Sequence, residues 1–129
     1  MKKSLAVIIL SVICSFVYSS EQQNSQNTAE FEPYRAEVIK IMGELKPGVK
    51  MIIQIFGRIN TREQLVMERK AIIRTVIQFN PVAYKLIRLR DRIDNNKRFA
   101  FMMWVNSVDQ EMMNLSKEMR QGKQRITQI

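Results

Sequence analysis

The sequence predicts an all-α fold: a small antiparallel bundle of about five helices that follows a cleaved signal peptide. From residue 31 onward, apolar residues recur every three or four positions, the spacing that places them on one side of a helix. No segment shows the clean apolar and polar alternation of a half-buried strand, and no Asn-Gly or Asp-Gly hairpin dipeptide occurs. Cap and break signals separate the periodic segments by short connections, which favours antiparallel neighbours.

Residues 1–19 have the pattern of a secretory signal peptide. Lys2 and Lys3 form a cationic start, residues 5–17 are largely apolar, and Ser19 is a small residue before the expected cleavage point. A membrane anchor is the less favoured alternative, because spanning a bilayer takes roughly 20 apolar residues. The only cysteine, Cys14, lies in this run. We interpret it as part of the discarded peptide rather than a lipid attachment site, so the mature chain is expected to be disulfide-free.

The remaining chain divides into a tail and one domain. Residues 20–30 are mostly Gln, Asn and Ser and are predicted to form a flexible polar tail. The helical domain is expected at 31–122, and 123–129 is expected to be a frayed C-terminus. The formal net charge is +9, and removal of Lys2 and Lys3 with the leader lowers it to +7. This balance favours acidic partners; for a secreted protein, an anionic lipid surface is favoured over nucleic acid.

Two helices are predicted before residue 60. The first, at 33–45, begins with Pro33, whose missing N–H is harmless in the first turn of a helix. It is expected to end at the Lys-Pro-Gly sequence of 46–48. The second, at 49–59, is apolar on most sides and is therefore expected to be buried on most sides.

The third and fourth helices are predicted at 62–79 and 81–93. Thr61 and Gln64 have the spacing of a capping box at the start of the third helix. Arg69 lies on its apolar side. We expect its head either to reach solvent at the edge of the bundle or to pair with an acid of a neighbouring helix, and we favour both over binding a ligand carboxylate inside the bundle. The Asn-Pro sequence at 80–81 starts the fourth helix, and Asp-Asn-Asn at 94–96 ends it. The core face of the third helix is defined by Leu65, Ile72, Val76 and Phe79, widened by Val66, Ile73 and Ile77.

The fifth helix is predicted at 98–121, with Gly122 as a C-terminal cap. It contains five of the nine methionines, which are flexible and can line adaptable apolar surfaces. One hypothesis is therefore a surface for an apolar ligand or a protein partner; the alternative is that the same side chains fill the core. The residues of this hypothetical surface are Phe99, Met102, Met103, Trp104, Met112 and Met113.

A basic patch is predicted around the fourth helix. Its members flank the apolar stripe, so they form either a patch for an anionic surface or an ordinary solvated helix face. They are Lys85, Arg88, Arg92, Lys97 and Arg98. Separately, Asn114 begins an Asn-Leu-Ser sequon, a site for glycosylation in a eukaryotic secreted protein.

Catalytic and metal-binding chemistry has little support in this sequence. The chain has no histidine, and its one cysteine lies in the leader, so Ser-His-Asp triads, Cys-His pairs and zinc sites are excluded from the mature chain. No Gly-rich phosphate loop or EF-hand loop occurs. We therefore predict a protein that is not an enzyme and has no cofactor and no metal site.

The sequence resembles the second half of the SXP/RAL family of secreted nematode proteins. The resemblance rests on an Asn-Thr-Arg turn at 60–62, a helix of about 18 residues, and Asn-Pro-Val-Ala-Tyr at 80–84 leading into another helix. It implies a small secreted or surface helical protein, with divalent-cation or apolar-ligand binding suggested for relatives. No cation-binding residue carries over to a position of this chain.

These observations lead to one expectation and one alternative. The chain is expected to be a secreted, non-enzymatic helical protein that binds an apolar ligand or a protein partner. The alternative is a cationic protein that binds anionic membrane surfaces or polyanions.

Overall fold

The structure is a computed structural model that describes residues 29–129. The predictions for the signal peptide at 1–19, for Cys14 and for the polar tail up to residue 28 therefore lie outside the described residues. Within 29–129 the chain is all-α and contains no strand. A 3-10 segment at Ala29–Tyr34 precedes the first α-helix, and another at Asn95–Lys97 precedes the third. The α-helices are α1 (Arg35–Gly57), α2 (Arg62–Asp91), α3 (Arg98–Val108) and α4 (Gln110–Thr127).

Helix α1 is continuous where two helices and a stop at 46–48 are predicted. Pro47 and Gly43 are both exposed, so water can satisfy the Gly43 carbonyl that loses its usual donor. Gly48 is buried beside the ring of Phe79, which makes it a point of close helix approach rather than a stop. Because the helix is unbroken, it presents one long apolar stripe that includes Val38, Ile41, Met42, Leu45, Val49, Ile52, Ile55 and Phe56.

Helix α2 likewise runs without interruption through Pro81, where the sequence predicts a boundary. Pro81 is exposed, and so is Ile77, whose carbonyl would otherwise accept from residue 81. The predicted capping box is confirmed at the start of α2: the Gln64 N–H donates to Thr61 Oγ1 at 3.2 Å, and Gln64 Oε1 accepts from the Thr61 N–H at 3.1 Å. Four helices thus replace the five predicted ones in the described range.

The predicted fifth helix is divided at Asp109 into α3 and α4. Asp109 has an extended backbone, with φ −128° and ψ 99°. Its Oδ1 accepts from the Met112 N–H at 3.0 Å, and its Oδ2 lies 2.7 Å from Lys46 Nζ. This side chain therefore caps α4 and ties the break to the middle of α1.

Helix α4 continues through Gly122 to Thr127, where a frayed end is predicted from residue 123. The side chain of Ile126 is buried, and the Arg125 guanidinium donates to the Ile59 carbonyl at 2.8 Å at the end of α1. Asp109 contacts the middle of α1 and Arg125 contacts its end, so α4 runs parallel to α1 rather than antiparallel.

Helices α1 and α2 have the predicted antiparallel arrangement. The Glu37–Arg92 pair joins the start of α1 to the end of α2, and the Arg58–Glu68 pair joins the opposite ends. Helix α1 makes the most extensive contacts with both α2 and α4 and is therefore the central helix. Among residues 29–129, no helix is both long enough and apolar enough to cross a membrane.

Candidate functional site

The predicted apolar surface of the fifth helix is divided between the core and the exterior. Trp104 and Met112 belong to the hydrophobic core, and Met103 is also buried. Met102 and Met113 are half-buried, while Phe99 is 62% exposed. These six residues therefore do not form one continuous exposed patch, and the core-packing alternative accounts for most of them.

An aromatic cluster explains why this region is buried. Phe31 of the N-terminal 3-10 segment lies with its ring centroid 5.3 Å from Phe101 and 5.7 Å from Trp104. Tyr34 lies 5.9 Å from Phe101, and the Arg35 guanidinium lies over the Trp104 ring at 5.6 Å. Such edge and tilted contacts stabilise the packing by about 0.5–1.5 kcal/mol per pair beyond the area they bury. They hold the residues just after the predicted tail against α3.

A small cavity lies between α1 and the α3–α4 junction. Asn106 lines it together with Met42 and Met113, and both polar atoms of the buried Asn106 amide lack a protein partner in the described chain. The cavity volume is about 10 Å³. That is room for about one water molecule, which can satisfy the amide, but not for an apolar ligand.

Two cations of the predicted basic patch pair with acidic side chains of α1. Lys85 Nζ lies 2.9 Å from Glu44 Oε2, and Arg92 lies 3.9 Å from Glu37. The hydrogen bond from Lys85 lowers the pKa of Glu44 below its ordinary value. Arg88 forms no ion pair with any residue of the described range 29–129. Most of this charge is therefore compensated locally.

The other two members of the basic patch have structural partners as well. Lys97 Nζ lies 2.8 Å from Glu30 Oε2, and this hydrogen bond raises the pKa of Lys97. The Arg98 guanidinium donates to the carbonyls of Ile93 at 3.0 Å and Asp91 at 3.2 Å, at the end of α2. A cation at a helix C-terminus is a favourable electrostatic arrangement. These two side chains therefore also have a structural role, because they connect neighbouring elements of the fold.

A cleft of about 160 Å³ lies at the same end of the molecule. Phe31 and Ile93 are its buried apolar lining, and Arg92, Lys97 and Asp94 are among the charged groups around it. Its cations and carboxylates occur side by side, so the cleft does not present one sign of charge.

A second apolar stripe, which the sequence interpretation merged with the core, lies on the exposed side of α2. Val66 is 64% exposed, Met67 is 78% exposed and Ile77 is 42% exposed. Ile73 is half-buried and does not pack against the core cluster. At 100° per residue, Val66 lies roughly 140° around the helix axis from Phe79, which packs against the core. Val66, Ile73 and Ile77 therefore belong to a separate face.

Four cations border this second stripe: Arg62, Arg69, Lys70 and Arg74. All four are exposed, and none forms an ion pair within residues 29–129. Arg69 is exposed, so its guanidinium reaches solvent and does not lie inside the bundle. We call these four cations together with Val66, Met67, Ile73 and Ile77 the outer face of α2. It combines protruding apolar side chains with a net positive charge, since one exposed carboxylate, Glu63, lies on the same side of the helix as the four cations.

The position of α2 explains why this face is uncovered. Its buried side chains all lie in the second part of the helix, beginning at Thr75. Within 62–74, the apolar residues that pack against the core, Leu65, Ala71 and Ile72, are only half-buried. The first half of α2 therefore uses one side for packing and leaves the opposite side to solvent. The signal in the sequence is the i, i+7, i+11 spacing of Val66, Ile73 and Ile77, which defines a stripe of its own.

The predicted glycosylation site and the expectation about metals concern other parts of the described chain. Asn114 is exposed on α4, and its Oδ1 accepts from Gln110 Nε2 at 3.3 Å. Among the described residues, no three acidic, histidine or cysteine side chains are grouped so that they could hold a metal ion.

Comparison with known protein families, curated proteins and solved structures finds no match. The resemblance to the SXP/RAL family therefore stays a prediction.

Proposed function

We propose that this chain, after removal of its leader, is a secreted non-enzymatic protein that binds anionic membrane surfaces through the outer face of α2. The single observation that supports the proposal is the combination of three exposed apolar side chains with four unpaired cations on one helix face. A basic amphipathic face of this kind suits the interface between lipid headgroups and acyl chains.

The alternative of an apolar ligand has less support from the geometry. Trp104 and Met112 contribute to the core, and the cavity beside Met113 has room for about one water molecule. An acidic protein partner remains the competing occupant of the outer face. We favour the membrane because cations and apolar side chains share one face of a convex helix, a shape that suits a flat lipid interface.

The expected affinity follows from the groups on this face. Each cation near an anionic surface contributes about 1 kcal/mol, so four contribute about 4 kcal/mol. Partial insertion of Val66, Met67 and Ile77 adds on the order of 1 kcal/mol each. Together these contributions amount to about 7 kcal/mol and correspond to an apparent Kd of about 10 μM or weaker, so binding should be reversible and weakened by salt.

The test is vesicle sedimentation with the processed chain collected from the medium of a secreting host. Phosphatidylcholine vesicles are compared with vesicles of equal parts phosphatidylcholine and phosphatidylglycerol, at low and high salt. We expect enrichment on the anionic vesicles at low salt only. Absence of that enrichment would reject the membrane proposal and leave the outer face to an acidic protein partner.

Two double variants with the same change in net charge locate the binding surface. R69Q/R74Q removes two unpaired cations of the outer face, whereas K85Q/R92Q removes two cations that are paired with acids of α1. The first should weaken binding about 30-fold, because two contributions of about 1 kcal/mol are lost. The second should have a much smaller effect. Equal losses would mean that net charge alone, rather than this face, determines binding.

A further pair of variants tests the apolar stripe. I77D places a carboxylate on the outer face, and I39D places one at an exposed apolar position of α1. Only I77D should abolish vesicle binding. Circular dichroism of both variants checks that the helices remain folded.

A further inference from the structure

The cations of the outer face form two separate rows. Arg62 and Arg69 are seven residues apart and lie on one side of Val66, while Lys70 and Arg74 are four apart and lie on the other. At 100° per residue, Arg69 and Arg74 are separated by roughly 140° around the helix axis. The side chains of the two rows therefore diverge from each other.

Diverging cations on a convex helix do not converge on one multiply charged group. A headgroup with several phosphates is best held by a concave site in which several donors meet. The cleft at the end of α2 is concave, but its lining, which includes Glu30, Asp94 and Lys97, mixes both signs of charge and includes no residue of the outer face.

We infer that the outer face of α2 lies flat on the bilayer and responds to the density of monovalent anionic headgroups, rather than to one phosphorylated headgroup. This inference rests on the proposed membrane binding. In this orientation each row of cations contacts the phosphates of separate lipids. Val66, Ile73 and Ile77 lie between the rows and enter the interface to a shallow depth.

The first experiment compares lipids at matched surface charge. Phosphatidylglycerol, phosphatidylserine and phosphatidylinositol bisphosphate are each diluted into phosphatidylcholine until the vesicles have equal zeta potentials. The processed chain should bind the three vesicle types within about twofold of one another. A preference of more than tenfold for the bisphosphate lipid would overturn this inference and leave the proposed function intact. Failure to bind any of the three would overturn the proposed function and the inference with it.

The second experiment tests the flat orientation by tryptophan fluorescence. The chain has one tryptophan, Trp104, which is 4% exposed in the core and supplies a constant background. The fluorescence emission of I77W should shift to shorter wavelength on anionic vesicles. It should also be quenched by lipids that are brominated near the headgroup end of the acyl chain. I39W, on α1, should show neither change. Quenching of both variants, or of I39W alone, on vesicles that bind the protein would refute the orientation.

Discussion

The close approach of Gly48 on α1 to Phe79 on α2 gives a stability prediction with a matched control. A Cβ atom added at Gly48 would lie 2.6 Å from both Cγ and Cδ2 of the Phe79 ring, closer than carbon atoms approach without strain. Because Cγ is the atom that joins the ring to the chain, a small rotation of the ring does not relieve the contact. G48A therefore forces either a new Phe79 rotamer or a separation of α1 from α2.

The magnitude follows from two opposing effects. Overpacking of this kind lowers the free energy of unfolding by about 1–3 kcal/mol. Replacing a helical glycine by alanine returns about 0.5–1 kcal/mol, through helix propensity and a less flexible unfolded chain. We therefore expect G48A to lower the free energy of unfolding by about 1–2 kcal/mol and Tm by roughly 5–10 °C.

Gly43 provides the control, since a Cβ there meets nothing within 4 Å. G43A should raise the free energy of unfolding by about 0.5–1 kcal/mol. Urea unfolding followed by circular dichroism at 222 nm measures both variants, and an unchanged m-value shows that the comparison is one of stability. G48A as stable as G43A would refute the close approach of α1 and α2. In an F79A background, which lacks both Cγ and the ring, G48A should no longer be destabilising.

Three further predictions concern contacts that the sequence did not reveal. R125A removes the donor to the carbonyls at the end of α1 and should lower the free energy of unfolding by about 1.5–3 kcal/mol. K123A, at an exposed position of the same helix, should leave the free energy of unfolding within about 0.5 kcal/mol of the wild type. Burial raises the pKa of Asp109, but its hydrogen bonds from a lysine and from a backbone N–H outweigh this and leave the pKa lowered. The ionised Asp109 carboxylate therefore contributes to stability above its ordinary pKa, and this contribution is lost as pH falls. The difference in free energy of unfolding between the wild type and D109N should shrink below about pH 4. Urea unfolding across pH checks this, and a constant difference would contradict it. F31A should cost about 3–5 kcal/mol, because Phe31 is 2% exposed, whereas F99A should be nearly neutral; equal thermal shifts would show that residues 29–34 do not pack as described.

The helical character was predictable because it depends on local periodicity and capping. The Thr61–Gln64 capping box is an example, since all its partners lie within four residues. The helix boundaries were less predictable, because a proline ends a helix only when packing does not favour continuing it. Pro47 and Pro81 are both exposed, and the apolar stripes on either side of each are in register across the core. Tertiary contacts therefore outweigh the local break signal.

The break at Asp109 shows the reverse case. Its local capping signal, an aspartate three residues before an N–H that it accepts from, was present in the sequence. The apolar register from Phe101 to Met119 nevertheless favoured one continuous helix. What decides between the two is the Lys46 ammonium, which comes from α1 and lies 2.7 Å from the Asp109 carboxylate. A partner 63 positions away along the chain cannot be read from local spacing.

The sequence predicted that the surface carries positive charge, but it did not show which of the cations lack an acidic partner. Net charge predicted a cationic surface, yet it could not distinguish Lys85, which Glu44 compensates, from Arg69 and Arg74, which no acid of the described residues pairs with. That difference depends on which helix lies opposite each cation. Helix α1 presents Glu37 and Glu44 to the second half of α2 only.

The same geometry explains why the first half of α2 can leave an apolar stripe exposed. Helix α1 is central, so its apolar side chains are largely occupied by α2 and α4. Helix α2 packs against it from one side and buries no residue before Thr75, so its first half can carry a second apolar stripe without removing anything from the core. Substitutions such as R69Q or I77D should therefore alter binding while leaving stability within about 0.5 kcal/mol of the wild type. Loss of stability together with loss of binding in those variants would show that the outer face is a structural contact after all.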